Sequence, residues 1–350
     1  MNYVLDNKIE RESKLTRKHS VTVEAEQVFR SAFNLNTVQG EIPTDAADLT
    51  LSGQDLSQPP PSPPHTHHSK FTSEVKKEVK SKVTVAENER TYDHVKSLVK
   101  QGRFLELTYI EQNDASWKSF IYNLPKGTMK FILNSSIDTL PTKVNLKQWG
   151  KVSNDKCFCG KRQTLFHILN GCKKCLEDGR YTFRHDSVLS YIDKCLDKEK
   201  FECFIDIEGS KRPVGGTLPP KVIVTALKPD IVIIDNKTKS VNIFELTVPG
   251  EKRIDVAHKL KTEKYQHFLT DIANYKPSLT PFEVGSSTGY ISQRNKQHLN
   301  VLHKFCKKNL KLSQFKDNIS AIAILGSFYI FNSRNEKNWE PVDHILPPLN

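Results

Sequence analysis

Two apolar runs, Ile231 to Ile234 and Val241 to Val248, lie on either side of Asp235-Asn236-Lys237-Thr238. Short runs rich in Val and Ile, joined by turn-forming residues, pair as neighbouring strands. This pairing constrains the rest of the chain, because each run carries an acidic residue. Asp230 follows Pro229 and opens the first run, and Glu245 stands fifteen positions later in the second. At one edge of a sheet, two carboxylates so placed can hold Mg²⁺ through oxygen ligands. Their spacing is that of a metal-dependent nuclease.

The following segment predicts a helix from Glu251 to Ala273, with Ile254, Ala257, Tyr265, Phe268 and Ile272 on one face. Lys261 lies in the middle of that stripe. An ammonium on a buried face is costly unless a carboxylate or phosphate answers it. The ordered set of strand Asp230, strand Glu245 and helix-face Lys261 therefore reads as one site.

From Arg184 onward, helices and strands alternate in the pattern of an α/β core. A helix is expected at Asp186 to Leu196 and strands near Val222–Ala226, Ile231–Ile234 and Val241–Val248. After the long helix come a second, Arg294 to Leu310, and a last strand, Ile319 to Ile330. Upstream, Val75 to Val79 and Val95 to Val99 predict amphipathic helices with a basic face. Helical spacing continues through Trp117, Phe120, Ile121 and Leu124, then Met129 to Leu133, and closes with Leu146 and Trp149. Only Val21 to Phe33 suggests a helix near the start. The tract Pro59-Pro60-Pro61-Ser62-Pro63-Pro64, followed by His65, His67 and His68, reads as extended linker. The divisions are thus a disordered or linker segment (1–75), a helical region (76–150), a cysteine-rich segment (151–180) and the α/β domain (181–340).

Lys and Arg number 52 against 40 Asp and Glu, a net charge of +12 that favours a polyanionic partner such as nucleic acid. No apolar stretch approaches the ~18 residues that span a bilayer, and no secretory signal is present, so an intracellular protein is expected. Four of the seven cysteines, Cys157, Cys159, Cys172 and Cys175, crowd into nineteen residues around His167. In a reducing compartment that pattern indicates metal rather than disulfides. Cys157, Cys159, His167 and Cys172 would close a tetrahedral Zn²⁺ site with no open position, with Cys175 an alternative for one ligand. A short helix, Thr164 to Asn170, carries the histidine.

These segments together resemble the C-terminal part of site-specific non-LTR retrotransposon reverse transcriptases that carry a restriction-like endonuclease. Leu124-Pro125-Lys126, Phe131-Ile132-Leu133-Asn134, Asp138-Thr139-Leu140-Pro141-Thr142 and Asn145 to Gly150 match the connector after the polymerase thumb. A Cys-Cys-His-Cys knuckle, an Arg-His-Asp motif (Arg184, His185, Asp186) and the nuclease carboxylates and lysine follow in the same order, from about Val95 to Trp339. The resemblance implies a restriction-endonuclease-like core, DNA as substrate, element RNA as a further partner and a nuclear location. It also implies that Thr247 stands where the lysine of Glu-x-Lys is usual, that this lysine has migrated to the following helix, and that Tyr265, four residues after Lys261, marks Lys261 rather than Lys264 as catalytic. The Cys-x-Cys step is shorter than in most members. No Phe/Tyr-x-Asp-Asp occurs, so the paired carboxylates a polymerase needs are missing from this chain.

The expected chemistry is hydrolysis of a DNA phosphodiester. Asp230, Glu245 and the Leu246 carbonyl would hold Mg²⁺ or Mn²⁺, and Lys261 would orient water or stabilise charge. Arg184, His185, Asp186, Thr247 and Tyr265 are auxiliary. The competing expectation is a nucleic-acid-binding remnant whose nuclease has decayed.

Overall fold

The computed structural model describes residues 68–99, 121–208, 219–272 apart from 224 and 226, 274–340, and 345. The expected helix at Val21 to Phe33, the proline tract, Trp117 and Phe120 lie outside these residues. Helix α1 (His68–Ser97) belongs to one compact unit, and everything described from 121 onward belongs to another. Instead of two separate helices, α1 is continuous, with surface pairs such as Lys82–Glu78 along it.

The second unit opens with α2 (Lys126–Ser136) and α3 (Lys143–Gln148). The Thr142 hydroxyl caps α3 by accepting the Asn145 N–H. The buried Asn145 amide donates to the carbonyls of Asp138 and Leu140 and so fixes the turn between the two helices. A π-helical turn (His167–Gly171) replaces the helix expected at Thr164 to Asn170. It leads into α4 (Lys173–Glu177) and α5 (Arg180–Cys195).

The sheet has four strands, β1 (Glu202–Ile205), β2 (Ile231–Asp235), β3 (Ser240–Thr247) and β4 (Lys276–Glu283), in that order. The first three are antiparallel, whereas β3 and β4 are parallel. Parallel neighbours need a crossover, and α6 (Ile254–Leu269), entered through a 3-10 turn (Glu251–Arg253), supplies it. Two helices follow, α7 (Gln293–His303) and α8 (Leu312–Asn332).

The core explains the layering. Ile231, Ile233, Phe244 and Leu246 face α5, α7 and α8, whereas Val232, Ile234, Val241 and Ile243 face Tyr265 and Ile272 on the other side. This period-two alternation puts Glu245 and Thr247 on the α6 side. Helix α8 packs on the sheet through Phe315, Ile319 and Ile322, and on α2 and the cysteine segment through Ala321, Ile324 and Phe331.

Three further sequence expectations need correction. Ile319 to Ile330 is helical, because a helix buried on all sides carries no polar face and its apolar run mimics a strand. The stretch near Val222–Ala226 forms no strand among its described residues; Val222 sits in a turn after Pro219-Pro220, its N–H bonded to the Pro219 carbonyl. The helix expected to reach Leu310 stops at His303.

Candidate active site and metal centre

The β2–β3 hairpin sets Asp230 and Glu245 side by side. The Asp230 N–H donates to Glu245 Oε1 (3.1 Å), and Asp230 Oδ2 accepts the Leu246 N–H (2.8 Å). Each strand thus fixes the carboxylate of the other. Glu245 is fully buried and Asp230 nearly so.

From α6, Lys261 Nζ donates to Glu245 Oε2 at 2.6 Å. The carboxylates repay the cost of burying this ammonium, and they raise the Lys261 pKa against the pull of burial. Burial and the neighbouring Asp230 push Glu245 up to about 7, with Lys261 and Tyr265 opposing them. Asp230 moves the other way. Burial would raise it, but His185, Lys261 and the Leu246 N–H together hold it below the usual carboxylate range. The surroundings of the two adjacent carboxylates thus push their pKa values in opposite directions.

His185, on α5, joins the pair from the far side. Its Nε2 lies 3.2 Å from Asp230 Oδ2 and its Nδ1 3.0 Å from Asp186 Oδ1. Burial lowers its pKa, but the two carboxylates more than reverse this, up to about 10, so the ring is cationic at neutral pH. Arg184 points elsewhere. It is buried, donates to Ser327 Oγ and the Val248 carbonyl, and packs so closely on Gly326 that a Cβ there would lie 2.6 Å from Arg184 Cγ. It therefore pins α5 to α8 and to the end of β3. Tyr265 is buried below Lys261, its hydroxyl donating to the Lys228 carbonyl (3.0 Å) and lying beside Glu245. Lys264 turns away, donating to the Tyr265 hydroxyl at 2.9 Å. The Thr247 hydroxyl is buried with no hydrogen-bond partner among the described residues, and Thr247 lines the cleft beside the pair.

That cleft has a volume of about 480 Å³ and runs between α6, α5 and the cysteine segment, with His185, Thr247 and Lys261 in its wall. Sequence reasoning missed Glu283, which is buried on β4 opposite Thr247 in the register and binds His258 Nδ1 at 3.1 Å. Its strand contains Pro277 and Pro281, which disguise it.

The second constellation is compact. The side-chain ligand atoms of Cys157, Cys159, His167 and Cys172 all lie within 4.8 Å of one another. Cys157 Sγ is 3.7 Å from Cys172 Sγ, and Cys159 Sγ is 3.2 Å from His167 Nε2. Tetrahedral zinc with bonds of ~2.3 Å to sulfur and ~2.0 Å to nitrogen spaces its ligands at about 3.5–3.8 Å, so this set could hold a metal such as zinc. Cys175 is outside the four.

The short Cys-x-Cys step works because the chain reverses immediately after it. Gly160 takes a φ of +83° that a side chain would resist, and Cys157 N–H bonds the Lys161 carbonyl. Both thiols thereby turn to one side. Burial and Lys161 lower the His167 pKa, favouring the neutral imidazole that a metal needs. Tyr181 braces the π-turn, its hydroxyl reaching the Ile168 carbonyl and accepting the Cys172 N–H.

No known family model matches the chain, and no curated protein matches it. Among the described residues, no helix is long and apolar enough to cross a membrane.

Proposed function

We propose that this chain is a metal-dependent DNA endonuclease with a restriction-endonuclease-like core, derived from the C-terminal part of a non-LTR retrotransposon reverse transcriptase. The observation that carries the reading is the convergence of Asp230, Glu245 and Lys261 from two strands and the crossover helix. The adjacent cleft carries cationic groups, as a phosphodiester site must. Two carboxylates and a carbonyl are hard oxygen donors, and they suit Mg²⁺ or Mn²⁺.

Asp230, Glu245 and the Leu246 carbonyl would hold the ion, which when bound polarises a phosphoryl oxygen and acidifies water. The chain's own groups do the rest. Lys261 donates toward the developing negative charge or the attacking water, and Glu245, with Tyr265 beside it, fixes its position. His185 holds Asp230 in its ionised form. The cysteine and histidine set would hold structural Zn²⁺. Element RNA is a further partner under this reading, and the nucleus is where such a nuclease meets its target.

A second reading, a nucleic-acid-binding remnant, is favoured by one observation: both carboxylates already have cationic partners within the chain. Nicking of supercoiled plasmid separates the two. The nuclease reading expects Mg²⁺-dependent conversion to open circles that chelator, Asp230→Asn or Glu245→Gln abolishes. DNA binding without conversion supports the remnant.

A further inference from the structure

Three large apolar side chains stand exposed around the cleft: Phe166 at 48%, Val256 at 48% and Leu260 at 60%. A cluster of this kind beside cationic groups is informative, because single exposed apolar residues are common but a convergent set is not. Phe166 is also held in place. Its ring lies against Gly250, where an added Cβ would stand 2.8 Å from the ring edge. The ring is thus seated at the cleft against the backbone that leads into α6.

The opposite wall repeats a chemical pattern. Arg253, at the end of the 3-10 turn, and Val256, Leu260 and Lys261 on α6 follow helical spacing, with a cation at each end and apolar groups between. Such a wall fits a ligand with an anionic edge and a flat apolar face. In continuous duplex the base faces are stacked on each other and cannot meet it. An unpaired nucleotide offers both its phosphate and its base.

We infer that the cleft between Phe166 and the exposed side of α6 is a base pocket, taking one unpaired, unstacked nucleobase next to the phosphodiester presented to Lys261. DNA with a bulged nucleotide is therefore the favoured substrate over continuous duplex. The assignment of the phosphodiester rests on the nuclease reading, whereas capture of the base does not.

The test compares two hairpin DNAs identical except for one bulged thymine, with Ca²⁺ in place of Mg²⁺ for binding and Mg²⁺ for cutting. The full chain should bind the bulged DNA about tenfold more tightly, within the range that base–aromatic stacking supplies. Phe166→Ala and Leu260→Ser should each reduce this preference to about twofold, and Phe166→Trp should retain it. A 5-iodouracil in the bulge should photo-crosslink to the peptide containing Phe166. Because Leu260 lies on α6, outside the cysteine segment, its variant reports on the pocket even if Phe166→Ala disturbs the metal centre. Equal affinity of the full chain for both DNAs, or an unchanged preference in both wall variants, overturns the pocket. A retained preference without cleavage in Mg²⁺ leaves the pocket standing and removes the nuclease, while cleavage without preference does the reverse.

Discussion

Lys261 Nζ donates to Glu245 Oε2 at 2.6 Å across the gap between the crossover helix and the sheet. Lys264, three residues on, spends its ammonium on the Tyr265 hydroxyl instead. Lys261→Ala should therefore reduce nicking by about 10²–10³, the usual loss for a donor to developing charge. Its DNA affinity should change little, since one phosphate contact among many is removed. Lys264→Ala should keep cutting within about threefold of the parent. Single-turnover cleavage and anisotropy titrations of both variants check this, and an equal loss in the two would misassign the lysine.

His185 predicts a pH dependence of stability. Its pKa is raised from 6.5 to about 10 in the folded chain, so the folded state keeps a proton that the unfolded state releases. The resulting stabilisation is complete below about pH 6.5 and is lost as pH rises through about 10. In chelator, the melting temperature of the parent should fall between pH 7 and 10 by ~5 °C more than that of His185→Gln. Parallel curves for the two proteins would show that the Asp186–His185–Asp230 chain contributes nothing.

For the cysteine set, one zinc per chain is expected by native mass spectrometry. Cys172→Ser should lose most of it, and Cys175→Ser should keep it because Cys175 stands outside the four converging ligands. Zinc removal should also lower the melting temperature, since binding energy at such sites is folding energy. The reverse result, with Cys175→Ser the depleted variant, would redraw the ligand set.

Gly326→Ala should destabilise the chain by ~1–3 kcal/mol, as overpacking usually does. The added methyl would meet Arg184 at Cγ, Cβ and Cα, and the Cα belongs to the α5 backbone, which cannot swing aside. Chemical denaturation measures the loss. An unchanged midpoint would mean that α5 and α8 can separate freely at this crossing.

How much of this was legible in the sequence depended on how local the signal was. The β2–β3 pair was readable because Ile231 to Ile234 and Val241 to Val248 are rich in β-branched residues and flank a turn. Lys261 was readable because a cation in an apolar helical stripe contradicts its surroundings. Helix α8 was misread for the opposite reason. It is enclosed by the sheet on one side and by α2 and the cysteine segment on the other, so no polar face exposes its period. Strand β4 escaped because Pro277 and Pro281 argue against a strand, yet it lies at the sheet edge, where proline is tolerated. Phe166 carried no signal either: one aromatic beside a candidate ligand means nothing until Gly250 is seen beneath it.

The parallel β3–β4 pairing has a consequence for how the molecule assembles. Glu245, Lys261, Tyr265 and Glu283 all ride on the strand–helix–strand stretch from Ser240 to Glu283. The charges that must find one another are thus close along the chain, and closing so short a loop costs little entropy. Asp230 and His185 come from outside that stretch. The buried lysine and glutamate can meet through a short loop, as can Asp230 and Glu245 across the hairpin, whereas His185 must come from α5, 45 residues before Asp230.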